Sequence, residues 1–313
     1  MPATDVTVAV LNYNGRDLLP VVLCSLARQT AQGFPIHVID DASSDDSLAY
    51  LSETWPLVRV LPSERNLGIS ASMARAVASA QTAYVAVLNN DLELDAHWLE
   101  QMLATLEQHS EAAAVDGKML SFHRREQIDG AGDLLARNGY ARRRGQGELD
   151  AGQYDEPGEV FSATGGAALF RVAAFDVVGP FDGDLGAYYE DVDWGFRARL
   201  RGMSVRYAPG AISYHMGSAT TSRAPARYAA LIVRNQIIVV VKNFPAALLV
   251  LHLPRIVFFQ LKWAAYNALH GYGRAHARGV LAAARLLPRT IRKRRAIQRS
   301  RSASLRELEQ ALS

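Results

Sequence analysis

Acidic residues are almost absent from the C-terminal part of this chain: after Asp193 the next is Glu307. Residues 1–193 hold 29 acids and 13 bases, a balance of −16, whereas residues 194–313 hold 2 acids and 21 bases, a balance of +19. The formal net charge of +3 conceals this split. It implies two parts with different surroundings, the second facing something anionic. Cysteine is scarce too. The single Cys24 excludes an internal disulfide and any cysteine-built metal cluster. It sits in an apolar helical stretch and reads as a buried core thiol, compatible with a reducing cytoplasm. No basic segment followed by an apolar one opens the chain, so no signal peptide is expected. Uninterrupted apolar runs of about 20 residues, the length that spans a bilayer, are missing as well. Those after residue 243 are broken by Pro254, Arg255 and Lys262.

What is present is a 313-residue chain, 49% hydrophobic and 21% charged, long enough for a full core. Its first half alternates short apolar runs with helical patterns. Strands are expected at 6–13, 36–40, 57–62 and 83–89, and helices at 16–30, 68–80 and 95–109. This alternation predicts an α/β fold with a parallel sheet covered on both faces. Ligands in such sheets bind beyond the carboxyl ends of the strands. The loops there read "NYNGR", "DDASSDD" and "NNDLELD". From 121 to 160 the pattern weakens, and 139–159 reads as a polar, Gly-rich surface loop. A helix opens at the acids of "YYEDVDWGFRARLRG" (188–202), and 203–215 reads as two short strands around a Pro-Gly turn. Long basic helices follow from about 224.

Each motif has a plain structural reading beside a chemical one. Asn14 and Gly15 suit a helix start. Asp40 and Asp41 end the second strand, where a carboxylate accepts hydrogen bonds from a ribose or a base; a cap is the equal alternative. Asp91 ends the fourth strand, where an oxygen ligand suits Mg2+ or Mn2+. Gly165 and Gly166 permit close approach of a substrate or a simple strand kink. Glu190, Asp191 and Asp193 crowd negative charge against Tyr188, Tyr189 and Trp194. Repulsion and burial both make a carboxylate there more basic, although a helix N-terminus also welcomes acids. Asp193 alternatively pairs with Arg197 one turn on.

Seven stretches in sequence order resemble the family-2 glycosyltransferases of GT-A fold, in particular their rhamnosyltransferase-like branch. They are "VLNYNG" (10–15), "VIDDASSDDS" (38–47), "RNLGISASMARA" (65–76), "VLNNDLEL" (87–94), "ATGGAALFRVAAFDVVGPFD" (163–182), "YYEDVDWGFRARLRG" (188–202) and "VRYAPGAISYHMGSA" (205–219). The resemblance implies a Rossmann-like catalytic domain over 1–223, with a nucleotide part (1–120) and an acceptor part (121–223). A basic amphipathic helical region, 224–313, follows. It also implies inverting transfer of a sugar from a nucleotide-diphosphate donor, dTDP-rhamnose or a UDP-sugar, to a hydroxyl of a glycan or lipid-linked glycan.

Carried over by position, Asp191 is the base, and Glu190 orients the acceptor together with Trp194, Gly165 and Gly166. Asp193 is the alternative base. Asp40 meets the nucleoside, with Asp41, Asn12 and Asn14 on the same side. Asn66, Gly68, Arg75, Asn89 and Asn90 lie near the donor. Asp91 and His215 hold a divalent cation, although "NND" carries a single acid where the family often has more.

Two other classes compete. A sugar-phosphate nucleotidyltransferase would need a Gly-rich basic loop after the first strand, which "NYNGRD" lacks. A non-catalytic nucleotide-sugar or membrane-binding protein fits the thin metal motif. Nucleic acid is not expected as a partner, because aromatics are not interleaved with the basic run. The acid-free segment 243–301 combines Phe258, Phe259, Trp263 and Tyr266 with many bases. It suits helices lying on an anionic membrane surface, and hence a cytoplasmic protein at the inner face of the cell membrane. Helices packed on the acidic first half are the rival reading.

Overall fold

The computed structural model describes residues 3–217 and 225–313. Its strands are β1 (Val6–Asn12), β2 (Ile36–Asp40), β3 (Arg59–Pro62), β4 (Tyr84–Asn89), β5 (Leu92–Leu94), β6 (Ala112–Ser121), β7 (Ile128–Gly130), β8 (Asp133–Leu135), β9 (Ala141–Arg143), β10 (Gly158–Glu159), β11 (Ala167–Arg171) and β12 (Ser204–His215). Its helices are α1 (Leu19–Ala27), α2 (Ser47–Thr54), α3 (Ile69–Ser79), α4 (Trp98–Gln108), α5 (Ala174–Val178), α6 (Glu190–Leu200), α7 (Pro225–Asn243), α8 (Ala246–Leu269), α9 (Gly273–Arg299) and α10 (Leu305–Ala311).

One sheet runs β10-β12-β6-β11-β4-β1-β2-β3, with β5 added to β12 and β7 to β6. The β4-β1-β2-β3 half is parallel, as expected. β11 enters antiparallel between β4 and β6, and β6 pairs parallel with β12. Every residue of β1 is buried, as suits a central strand covered on both faces. Val6, Val8 and Val10 point into a core shared with α1 and α4, while Ala9 and Leu11 point into one shared with α3, α5 and α6. The period of two in β1 therefore divides the cores.

Several local expectations are corrected. Cys24 is exposed, because α1 turns it away from the sheet while Val22, Leu23 and Leu26 face inward. Pro20 falls in the first turn of α1, where no backbone donor is lost. The alanine-rich β6 was not legible as a strand; pairing on both sides overrides alanine's helical preference. Segment 203–215 is one strand with a register shift between Ala208 and Ile212, not two. There β12 presses against β6: a Cβ on Gly117 would lie 2.2 Å from the Ala211 carbonyl oxygen. Segment 139–159 is more than a loop, since β9 pairs with β8 within it. The domain boundary expected at 223/224 falls outside the described residues.

The basic helices dock on the acidic part. Phe244 and Val239 from this region share a core with Phe196 and Val192 of α6. α7 lies along α9 and against α6. Lys242, 1% exposed, bridges Asp182 (2.5 Å) and Asp193 (2.7 Å). Lys293 joins Asp182 and Asp184, and Arg289 pairs with Asp184 at 2.9 Å. The two late acids have structural tasks too: Glu307 completes a capping box with Ser304, and Glu309 pairs with Arg137 and His252.

α8 behaves differently. It runs through Pro254 without a break, so the helix continues where the apolar run is interrupted by Pro254, Arg255 and Lys262. By length and composition it is apolar enough to cross a membrane, with a mean hydropathy of 1.3 over its best window, and only 17% of that window is buried.

Replacing Lys242 by alanine strands two buried carboxylates. A loss of about 3–5 kcal/mol in unfolding free energy is expected, read from urea denaturation against the wild type. An unchanged midpoint would show that the bridge holds nothing.

Candidate active site

The loops at the carboxyl ends of β1, β2 and β4 converge on Asn12. Its side-chain NH2 donates to Asp40 Oδ2 (2.9 Å) and to Ser43 (3.2 Å), and its oxygen accepts from Asn90 (2.8 Å). Gly15 leaves room for this crossing, since a Cβ there would sit 1.9 Å from Asn90 Nδ2. Asn14, exposed and at φ 49°, accepts from the Ser44 amide at 2.7 Å. Asp40 is 0% exposed and also accepts from the Ser43 amide (2.9 Å) and hydroxyl (2.6 Å). It organises its own loop rather than presenting a carboxylate to a nucleoside. Asp41 is likewise spent, holding the amides of Leu67 and Gly68 at 2.8 Å each. Gly68 (φ 84°) then opens α3 against the Gly186 carbonyl.

Arg75 lies at the carboxyl end of β3 with its guanidinium already engaged. Its guanidinium donates to the carbonyls of Leu61 (3.0 Å) and Pro62 (2.9 Å) and to Ser63, tying α3 to the end of β3. Asn66 stands exposed on the preceding loop. Asn89 closes β4, its amide donating to the Gly166 carbonyl at 2.8 Å. Gly165 and Gly166 are buried, not open to an acceptor; what Gly165 contributes is its N–H.

The acids at the start of α6 have separate fates. Tyr188 and Tyr189, at φ 68° and 69°, turn the chain sharply into the helix. This left-handed pair is costly for bulky residues, and Asn235 of α7 secures it. The Asn235 NH2 donates to the carbonyls of Leu185 (3.0 Å), Ala187 (2.7 Å) and Tyr188 (2.7 Å). Asp193, 0% exposed, bonds Arg197 (3.0 Å), Asn243 (2.7 Å) and Lys242. Burial alone would raise its pKa, but Lys242 and Arg197 more than offset this and hold it below the usual range. It is a structural anion, and the alternative base is withdrawn. Trp194 is 1% exposed, packed on Phe170 and Phe175 with its N–H on the Gly179 carbonyl (3.0 Å). It is core and touches no acceptor.

Asp191 is only partly covered. Its Oδ2 accepts from the Gly165 amide (3.0 Å) and its Oδ1 from the Val192 amide (2.7 Å). Burial raises its pKa against these bonds and against the charge of Arg143. The cause is therefore desolvation, not the repulsion from Glu190 and Asp193 that the sequence suggests. Glu190 is 5% exposed, with Oε2 buried and unpartnered; burial first, then the charge of Asp191, pushes its pKa well up. Asp133 is raised by burial and by Asp191, and Asp116 is pushed up to about 7 by burial despite bonds from Thr164 and Gly117. Arg143, from β9, carries the positive charge felt by Asp116, Asp133 and Asp191. Sequence reasoning missed Arg143, Asp116, Asp133 and Asn235. The run "ARRRG" was the one available signal for Arg143, and it read as a solvated loop.

Asp91 and His215 do meet. His215 Nε2 lies 3.1 Å from Asp91 Oδ2, and its Nδ1 lies 2.9 Å from Asp129 Oδ2. Asp129 is in turn paired with Arg143. Asp91 Oδ1 is buried and has no partner among the described residues. Among the described residues no cluster of three or more His, Cys, Asp or Glu is arranged to hold a metal ion. The pair nevertheless fits a cation that takes its remaining ligands from a substrate: an oxygen without a partner, a ring nitrogen, and a carboxylate behind the imidazole to orient it.

Burial alone would lower the His215 pKa, but the bonds to Asp129 and Asp91 raise it to about 9. The imidazolium thus stabilises the fold fully below the ordinary histidine value of about 6.5, and the contribution is lost as pH rises through about 9. The stability gap between wild type and His215→Ala, measured in chelator, is expected to shrink by on the order of 2–3 kcal/mol between about pH 6 and about pH 10. A gap independent of pH would contradict the charged pairing.

Known proteins resemble this chain in sequence and in fold. The sequence model of the family described as glycosyl transferase family 2 matches residues 7–179. An N-acetylglucosaminyl-diphospho-decaprenol L-rhamnosyltransferase of Mycobacterium tuberculosis is 28% identical over 255 residues, covering 72% of this chain and 81% of that protein. Among solved structures, a mannosyltransferase from Pyrobaculum calidifontis bound to GDP-Man and Mn2+ superposes with a TM-score of 0.59 at 16% identity. It covers 98% of this chain and 78% of its own. GalNAc-T7 with UDP, GalNAc and Mn2+ gives 0.60 at 17% identity over 75% of this chain, which spans 47% of that protein's length. The last two share the GT-A fold. With more than half of its length matched by the family's model, the chain belongs to glycosyl transferase family 2.

Proposed function

We propose that the protein is an inverting glycosyltransferase, moving a sugar from a nucleotide-diphosphate donor to a hydroxyl of a lipid-linked glycan, with Asp191 as the general base. The observation that carries this reading is the division of labour at the start of α6. Asp193 is neutralised by Lys242 and Arg197, and Glu190 is sealed in with a raised pKa. Asp191 alone of the three is partly open, held rigid by two backbone amides, and raised in pKa. A sugar hydroxyl is a poor nucleophile until its proton leaves. A fixed carboxylate on the face opposite the departing diphosphate takes that proton as the new bond forms, which inverts the anomeric centre. A more basic carboxylate is the better acceptor. Arg143, paired with Asp129 behind His215 and felt by Asp191, links the base to the Asp91–His215 pair.

Asp91 and His215 would hold the divalent cation, which when bound neutralises charge developing on the leaving diphosphate. Asn12 and Asn90 shape the donor loops. dTDP-rhamnose, or a UDP-sugar, is the proposed donor; the rhamnosyl group and a diphosphate-linked GlcNAc acceptor are proposed by likeness to the mycobacterial relative. The catalytic domain is proposed to end near 223. The exposed apolar side of α8, flanked by bases, is proposed to rest on an anionic membrane, where such acceptors reside.

Asp191→Asn is expected to lower transfer by about 100- to 10,000-fold while donor binding persists. Asp193→Asn should instead lower the melting temperature. Near-normal turnover of the Asp191 variant would remove it from the role. Asp91→Ala and His215→Ala should each weaken cation-dependent donor binding, with strongly non-additive losses. Additive losses, or full activity in excess EDTA, would argue against a shared cation.

A further inference from the structure

The membrane reading leaves unexplained a groove of about 450 Å³ on the same helix. Its walls are Arg255, Phe258, Phe259 and Lys262 of α8, facing Arg137 and Asn138 in the turn between β8 and β9. On α8 these residues fall at i, i+3, i+4 and i+7, so they share one side of the helix. The next side is the apolar one, where Leu251 is 62% exposed, Phe258 69% and Leu261 66%. Phe258 belongs to both. An apolar stripe thus drains directly into a cationic groove.

The charges are not all spent. Arg137 is paired with Glu309 at 2.7 Å, and Glu309 also meets His252. Arg255 and Lys262 form no ion pair among the described residues. Ser313 closes the floor, its N–H on the Leu135 carbonyl and its carbonyl accepting from Arg137. A surface lysine and arginine are ordinarily solvated, and an exposed phenylalanine ordinarily serves nothing. Here the cations border the exposed Phe258 and the half-buried Phe259, at the mouth of a groove.

The groove is also wired to the acids. Tyr140, beyond the turn, packs its ring 5.4 Å from Phe259. The Ala141 amide donates to the Tyr189 hydroxyl at 3.2 Å, immediately before Glu190 and Asp191. Two residues further, Arg143 delivers the charge that Asp191 feels. One short hairpin therefore touches the groove at its turn and carries, on its strand, the charge that bears on Asp191.

We infer that this groove holds the carrier end of the acceptor: the diphosphate against Arg255 and Lys262, and the first units of a prenyl chain against Phe258 and Phe259, the rest of the chain following the apolar side of α8. An anionic amphiphile needs both features at once. The inference rests on the lipid-linked acceptor proposed above and assigns it a place.

The test uses the full chain with geranylgeranyl diphosphate in nanodiscs of zwitterionic lipid, read by fluorescence of Trp263, whose ring centre lies 5.4 Å from that of Phe259. The double variant Arg255→Gln, Lys262→Gln should bind about 10-fold or more weakly, as loss of charge-assisted contacts predicts. Its nucleotide-sugar hydrolysis should stay at the wild-type rate. Phe258→Ala should weaken the prenyl ligand but leave inorganic pyrophosphate unaffected. Equal binding by the wild type and the double variant would overturn the assignment. So would pyrophosphate competing as well as the prenyl ligand, which would mean a simple anion site. A matching loss on anionic vesicles without prenyl diphosphate would mean surface docking only. Absence of donor hydrolysis in the wild type would sink the transferase reading while leaving the binding result intact.

Discussion

Three carboxylates begin one helix, and the rest of the site depends on how that charge is compensated. Asp193 points into the protein and is met by Lys242 from α7 and Arg197 from its own next turn. Without those cations, three neighbouring acids would sit in a low-dielectric setting and resist ionisation together. With them, one charge is fixed and cancelled, Glu190 is driven toward its neutral form, and Asp191 is left with the raised pKa and the outlet.

The same contact explains the charge split along the chain. The net −16 of residues 1–193 and +19 of residues 194–313 do not describe two indifferent halves. Asp182, Asp184 and Asp193 are covered by Lys242, Arg289 and Lys293, so part of the basic excess is an internal counter-charge. Asn235 adds geometry to charge, fixing the backbone through Leu185, Ala187 and Tyr188 just before the acids. The C-terminal helices thus reach the start of α6 from behind. Both readings of the basic region survive in different helices: α7 and α9 pack on the acidic part, whereas α8 keeps its apolar side uncovered.

Much of this was legible in sequence. β1, β2 and β4 announce themselves as short apolar runs ending in polar loops, because a strand buried on both faces tolerates little else. The meeting of Asp91 with His215 was implied by the family resemblance. What failed did so for nameable reasons. Trp194 looked like a binding aromatic but fills the core beside Phe170, and Asp193 looked like an alternative base but is paired with Lys242 and Arg197. Both kinds of residue serve either use, and only their surroundings decide.

The sequence by itself determined the periodicity of the elements, the polar loops at the strand ends, the family and the crowding of acids at 190–193. Those properties are local, or depend on order along the chain. The tertiary structure decided which acid is cancelled and which stays partly open, since Lys242 lies 49 positions from Asp193 and Arg143 lies 48 from Asp191. A carboxylate's pKa is set by whatever stands within a few ångströms, and those neighbours are brought together only by folding.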